Sequence, residues 1–385
     1  MLLQEAETET AVDISPSTTS LTPPLTEAAL PDWLRLLRSH RVGPVTFHRL
    51  IAEFGDAATA LEELPRIAAE AGLKAYRPAR MDGVLHEIDL ARQAGARPLP
   101  FGAPDYPPAL AEIPDAPPFL WTIGDRALVE RPMIALVGAR NASSLGTRMA
   151  KRMATELGEA GFVVVSGLAR GIDAAAHGAA LATGTVAVFA GGVDVVYPAE
   201  NAVLAQEIAE TGLTLSEQPM SVVPQARHFP RRNRIVSGLA RAVVVVEAAA
   251  KSGTLGTARG ALDQGREVFA VPGHPFDARA AGCNMLLRDG ATLVRGARDV
   301  IEALSVAEKR ETVAPPAPPR KPGIAPDMAA LHGRILDRLG PAPLPEDDLL
   351  RAVGVDPGVI APLILSMELE GKVAREAGGL IRRLV

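Results

Sequence analysis

The chain has 385 residues, 48% of them hydrophobic and only 4% aromatic, so it can bury a large, mainly aliphatic core divided over two or three domains. A single cysteine, Cys283, excludes an intramolecular disulfide framework and a cysteine-rich zinc site, and reads as a small buried residue. The formal net charge of −5 excludes a protein that is basic throughout, so any polyanion binding must come from local basic clusters.

Residues 1–25 are rich in Thr, Ser, Glu and Pro, which predicts disorder. They lack the basic start and apolar segment of a secretion signal, and no apolar run of about 20 residues follows; a cytoplasmic protein with no membrane partner is expected. Residues 26–95 read as a helical module. Trp33–Leu37 is amphipathic, Arg41-Val-Gly-Pro44 is a tight turn, and residues 45–54 restore helical spacing until Gly55 stops it. This pair resembles the helix-hairpin-helix or sterile-alpha-motif-like modules of DNA-repair proteins, in which hairpin amides can hold a phosphate. A structural or protein-contact role is the alternative.

A larger domain is expected over residues 96–305. Its opening stretches, Leu99–Pro108 and Ile113–Pro118, carry too many prolines for regular structure and predict an extended connector. Beyond it, strands are predicted at Met133–Val137, Val163–Ser166, Thr185–Phe189, Leu213–Ser216, Ala242–Val246 and Glu267–Val271, alternating with helices. Continuous apolar strands at this spacing predict an α/β, doubly wound, mostly parallel sheet. A proline-rich linker is expected over 306–326. Residues 327–385 offer three helical patterns and a hairpin around Gly378-Gly379, which predicts a winged helix. Its recognition-helix candidate, Asp356–Gly371, contains no Lys or Arg and two Glu, which argues against contact with a phosphate backbone.

The chemistry concentrates where strands end. Gly138-Ala-Arg140, continuing to Ser143, is neither a dinucleotide fingerprint nor a Walker loop; it sets an Arg beside free amides and hydroxyls, as a phosphate site would. Ser166-Gly167-Leu-Ala-Arg170-Gly171-Ile-Asp173 repeats the recipe, with Asp173 as N-cap or first-turn acid and His177 as a structural hydrogen-bonding residue. Gly191 and Gly192 follow the third strand and allow close approach by a ligand. A basic segment with an aromatic, Phe229-Pro-Arg231-Arg232-Asn233-Arg234, opens a helix and can clamp phosphates while Phe229 stacks a base. Lys251, Ser252, Gly253, Thr254 and Thr257 supply a further turn. Parallel strands place such turns at one end of a sheet, giving a row of anion sites for a chain of phosphates.

In order and spacing these motifs, with Glu247 and Arg266–Gly273, resemble the DNA-processing protein A (DprA/Smf) family across roughly residues 101–304. The resemblance implies an extended Rossmann-like domain that binds single-stranded DNA, forms a homodimer through that domain and loads RecA recombinase in natural transformation. It also implies a DNA groove lined by Arg140, the Ser166–Gly171 turn, Arg231, Arg232, Arg234 and the Lys251–Thr257 turn. One departure is that many relatives carry a Lys after the Tyr-Pro of the third turn, where this chain has Ala199 and Glu200. The rival is a Lonely-guy-type phosphoribohydrolase. On alignment at Gly256-Thr257, Gly260 stands where that family has its catalytic acid, so a non-catalytic protein without cofactor or metal is expected.

Overall fold

The computed structural model describes residues 26–70, 75–313 and 328–340, together with 344–345, 349, 352–353, 364, 367, 372–376 and 380–384. The stretch 1–25 and the proline-rich 314–326 lie outside the described residues. Residues 306–313, assigned above to the linker, instead finish a helix, Ala297–Val313. The chain divides into two compact units, Met1–Lys309 and Arg310–Val385, each described by itself.

The first unit opens with α1 (Leu30–Arg38), α2 (Pro44–Phe54), α3 (Ala57–Glu70) and α4 (Met81–Gln93). In α1, Leu30, Trp33, Leu34 and Leu37 fall at i, i+3, i+4 and i+7 and are buried. Pro44 at the first position starts α2, and Gly55, with φ of 84°, stops it where the sequence requires. The helices pack on a sheet edge formed by β1 (Arg97–Pro100) and β2 (Phe119–Gly124), with the short α5 (Pro108–Ala111) between them. Phe119 and Trp121 of β2 enter the same core as Trp33, Phe47, Leu50 and Ile51. Buried Glu87 accepts from Trp121 Nε1 at 2.7 Å and pairs with Arg38 at 2.8 Å, so the module is tied to the sheet by polar as well as apolar contacts. The expected connector is corrected here: Arg97–Pro100 pairs antiparallel with β2, from Arg97 opposite Thr122 to Pro100 opposite Phe119. An edge strand tolerates Pro98 and Pro100 because only one side of it needs N–H donors.

The sheet continues with β3 (Met133–Val137), α6 (Ser144–Glu159), β4 (Val163–Ser166), α7 (Ile172–Ala180), β5 (Thr185–Val188), α8 (Ala202–Thr211), β6 (Leu213–Ser216), α9 (His228–Leu239), β7 (Ala242–Val245), α10 (Thr254–Asp263), β8 (Glu267–Ala270), α11 (Ala281–Arg288), β9 (Thr292–Leu293) and α12 (Ala297–Val313). All six predicted strands form, three of them one residue shorter than expected. The spatial order is β1-β2-β6-β5-β4-β3-β7-β8-β9; the pairings β1 with β2 and β2 with β6 are antiparallel, and the rest are parallel. Alternate side chains feed two cores, as the two-residue strand period demands. Met133, Ala135 and Val137 meet Ile235 of α9 and Leu255 of α10 on one face. Ile134 and Leu136 meet Met153 of α6 and Ile172 of α7 on the other. Cys283 is fully buried, as expected. Among the described residues, no helix is long and apolar enough to cross a membrane.

His177 is fully buried and its Nδ1 lies 2.6 Å from Thr185 Oγ1, the structural role assigned to it from sequence. Burial first, and then the Arg232 charge, push its pKa down to about 3. The unfolded chain therefore binds a proton at His177 below about pH 6.5 that the folded chain refuses. This contribution is fully present above that pH and is lost as the pH falls toward 3, by about 1.4 kcal/mol per pH unit. Urea unfolding midpoints measured between pH 7 and 4 should fall more steeply for the natural protein than for His177→Gln; parallel curves would exclude this titration.

In the second unit, α13 (Met328–Arg338) and the strands β10 (Leu344–Pro345), β11 (Val373–Glu376) and β12 (Leu380–Arg383) surround buried Leu331, Ile335, Leu349, Met367, Val373 and Ile381. The sheet order is β10-β12-β11, and β11 and β12 form the predicted hairpin. Of the recognition-helix candidate only Ile364 and Met367 are described, both buried; the remainder lies outside the described residues.

Candidate nucleic-acid interface

The strand order reverses between β3 and β7. At that switch point, beyond the carboxyl ends of the parallel strands, lies a cleft of about 980 Å³. Gly138 and Arg140 from the turn after β3, Gly167 from the turn after β4, and Phe229, Arg232, Asn233 and Arg234 from α9 line it. Lys251, Ser252, Gly253, Thr254 and Thr257, from the turn after β7 and the start of α10, complete the wall. Of the residues singled out in the sequence, Ser143, Ser166, Arg170, Gly171, Gly191, Gly192 and Arg231 are not among those lining the cleft. Arg279, which follows β8 by nine residues in a loop without a recognisable motif, lines it instead and was missed.

The turns interlock. A Cβ on Gly167 would come within 2.1 Å of the Arg232 guanidinium, and one on Gly171, whose φ is 76°, within 2.3 Å of the Ala139 carbonyl. At Gly171 the positive φ and the backbone contact require glycine, and at Gly167 any side chain would have to displace the Arg232 guanidinium. Thr254 Oγ1 donates to the Gly138 carbonyl at 3.1 Å, joining the turn after β7 to the turn after β3. Gly191 and Gly192 make room for the chain itself, not for a ligand: added Cβ atoms would strike the Val222 carbonyl at 2.4 Å and the Pro219 carbonyl at 2.8 Å.

Several polar groups expected to hold phosphate are satisfied internally. At the start of α6, the Glu247 carboxylate accepts from the Ser143 amide at 2.9 Å and from the Ser143 hydroxyl, while Ser143 Oγ accepts from the Gly146 amide at 2.9 Å. The positive end of α6 thus already holds an anion. Asp173 serves as a first-turn acid of α7 and accepts from the Gly167 and Ala169 amides at 3.2 and 3.3 Å. Ser166 Oγ donates to the Leu136 carbonyl at 2.6 Å. By contrast, the amides of Arg140 and Asn141, two residues that line the cleft, have no acceptor among the described residues.

The arginine cluster splits by burial. Arg232 is only 7% exposed; it donates to the Gly167 carbonyl and, at 2.8 Å, to the Val188 carbonyl. Burial lowers its pKa to about 10, with Asp173 opposing the shift, so it stays charged at neutral pH. Burial likewise raises the Asp173 carboxyl above the usual range, and Arg232 acts against that shift. Arg234 is held by Glu217 at 2.7 Å and Asp115 at 3.2 Å. Arg170 lies 3.6 Å from Glu200, one of the two residues that replace the family's Lys region. Arg140, Arg231 and Lys251 are exposed and carry no ion pair among the described residues. The Arg140 guanidinium sits 5.0 Å over the Phe229 ring, whose centroid is 5.7 Å from that of Tyr197. Cations, open amides and an aromatic ring thus converge on one cleft.

Fold and cleft together define a Rossmann-like protein with a cleft lined by arginines, glycine-rich turns and an aromatic ring at its switch point. The family profile described as DNA recombination-mediator protein A matches residues 97–305, the DprA-like N-terminal HHH domain matches 27–98 and the DprA winged helix domain matches 314–379. The chain belongs to the DprA/Smf family. It is 44% identical over 216 residues to DNA processing protein DprA of Bacillus subtilis, covering 55% of this chain and 73% of that one. Protein Smf of Escherichia coli is 37% identical over 287 residues, 74% of this chain and 76% of the relative. The X-ray structure of DprA from Streptococcus pneumoniae superposes with a TM-score of 0.57 at 35% identity, covering 68% of this chain and 98% of that chain. DNA processing protein A from Helicobacter pylori, described for its single-stranded DNA binding mode, gives a TM-score of 0.51 at 31% identity over 55% of this chain and 96% of that one.

Proposed function

We propose that the switch-point cleft binds single-stranded DNA without catalysing its conversion, that the protein forms a homodimer through the Rossmann-like domain, and that it loads RecA recombinase onto the bound strand during DNA processing in the cytoplasm. The observation that carries the DNA reading is the convergence of Arg140 and Lys251, both exposed and without ion pairs among the described residues, with the Phe229 ring on one cleft. Phosphates meet Arg140, Lys251 and the open amides of Arg140 and Asn141, while a base takes the Phe229 face and displaces the guanidinium toward the backbone. Contacts of this kind carry little sequence information, so preference among bases is weak. The RecA and dimer steps draw their support from the family resemblance and from the single-stranded DNA binding described for the Helicobacter pylori relative.

The residues that stand where an acid would act support a non-catalytic role. Gly260 lines the wall where the phosphoribohydrolases carry their acid, Glu247 is bound to Ser143, and Asp173 faces Arg232. Anisotropy titrations of single- and double-stranded DNA over a salt series, with the full chain, test the reading. Tighter binding of the single strand and an affinity that falls log-linearly with salt are expected. Equal affinity for the duplex would overturn it, and release of free base from nucleoside monophosphates would establish the enzyme reading in its place.

A further inference from the structure

Near Tyr197, Arg170 is paired with Glu200 at 3.6 Å, and the Asp194 carboxylate accepts from the Ser221 amide at 2.9 Å. From Arg140 and Asn141 in the cleft wall the chain continues through Ala142 into the first two turns of α6. There Ser144, Thr147, Arg148 and Lys151 fall at i, i+3, i+4 and i+7, share one helix face and line a shallow depression of about 450 Å³. Residues 144–151 contain no acid, and neither Arg148 nor Lys151 has an ion pair among the described residues, although the next cation, Arg152, is held by Glu156 at 2.7 Å. At the start of α6 the Ser143 and Gly146 amides are already bonded to Glu247 and to Ser143 Oγ, so the attraction of this face resides mainly in its side chains.

We propose that this face of α6 is a second segment of the DNA track. A strand leaving the cleft past Arg140 lays successive phosphates on Arg148 and Lys151, and the Ser144 and Thr147 hydroxyls donate to phosphate or sugar oxygens. The proposal rests on the reading of the cleft as a single-stranded DNA site. Seven residues of helix span roughly 10 Å, room for about three nucleotides at a stacked spacing of about 3.4 Å. An acidic protein segment would be drawn to the same cations, but unbroken continuity with the cleft wall favours DNA.

Fluorescence anisotropy on the full chain separates the two segments by oligonucleotide length. With oligothymidylates of about 4 and about 16 nucleotides, Arg148→Ala/Lys151→Ala should weaken only the longer. Loss of two phosphate contacts, each contributing about 0.7 to the salt slope, predicts a roughly 25-fold weaker affinity at ~0.1 M salt and a slope smaller by about 1.4. Arg140→Ala should weaken both oligonucleotides. Arg148 and Lys151 are exposed, so circular dichroism and the melting temperature should match the natural protein and exclude misfolding. An unchanged affinity and slope for the longer strand in the Arg148→Ala/Lys151→Ala variant, with Arg140→Ala still weakening both, would overturn the α6 segment alone. Failure of the natural protein to bind either oligonucleotide would overturn the cleft reading, and the α6 segment with it.

Discussion

Replacing Arg232 by Ala should destabilise the fold by about 2–5 kcal/mol, because two buried carbonyls are left without their donor at about 1–3 kcal/mol each and a compensating charge near buried Asp173 is removed. The Asp173 carboxylate would lose its facing positive charge, and the carbonyls of Gly167 and Val188 would lose their donor. Urea unfolding measures this directly, and a loss under about 1 kcal/mol would show that water or a neighbouring donor replaces the guanidinium. Arg231→Ala is the matched control. Arg231 sits one position away on the same helix but is exposed, so its removal should stay within about 0.5 kcal/mol. The pair of variants therefore separates a cation that holds the turn after β4 from one that is free to meet a ligand. If Arg232→Ala also weakens DNA binding, the cause lies in the turn it supports, and Arg232→Lys, which keeps the charge but not the fork, should restore only part of the loss.

Phe229→Ala should weaken single-stranded DNA by about 1–3 kcal/mol, roughly 5- to 150-fold, through the loss of a stacked base. Because no charge is removed, the salt slope should stay as it is. Arg140→Ala should do the converse and reduce the slope by about 0.7, the share of one phosphate contact. The guanidinium lies over the ring in the unbound protein, so the two changes should not add; a coupling of at least about 0.5 kcal/mol is expected from the double-mutant cycle. Strict additivity, or a change of salt slope in Phe229→Ala, would remove the ring from the binding site.

Much of this protein is legible in its sequence because the determinants are local. Apolar β-branched runs such as Val163–Val165 and Val243–Val245 specify buried parallel strands, Gly55 ends its helix through positive φ, and the glycine-rich strand ends mark the switch-point turns. The linked motifs identify the family, and Phe229, Arg140 and Lys251 reach the cleft as their residue types and positions predict. The proline-bearing edge strand β1 escaped notice because its pairing with Phe119–Thr122 is non-local and its local propensity argues against it.

What only the tertiary structure decided is which polar groups remain free. Arg231 and Arg232 are indistinguishable in a basic segment, yet successive residues of a helix point about 100° apart, so one faces solvent and the other reaches a carbonyl 65 residues away. Glu247 reaches Ser143 across 104 residues and fills the end of α6 that an unassisted reading leaves open to phosphate. The expected row of helix-end anion sites thereby becomes a cleft whose charge comes mainly from side chains. A residue's own sequence neighbourhood determines its secondary structure, but hydrogen-bond donors and acceptors are shared among segments brought together only by folding.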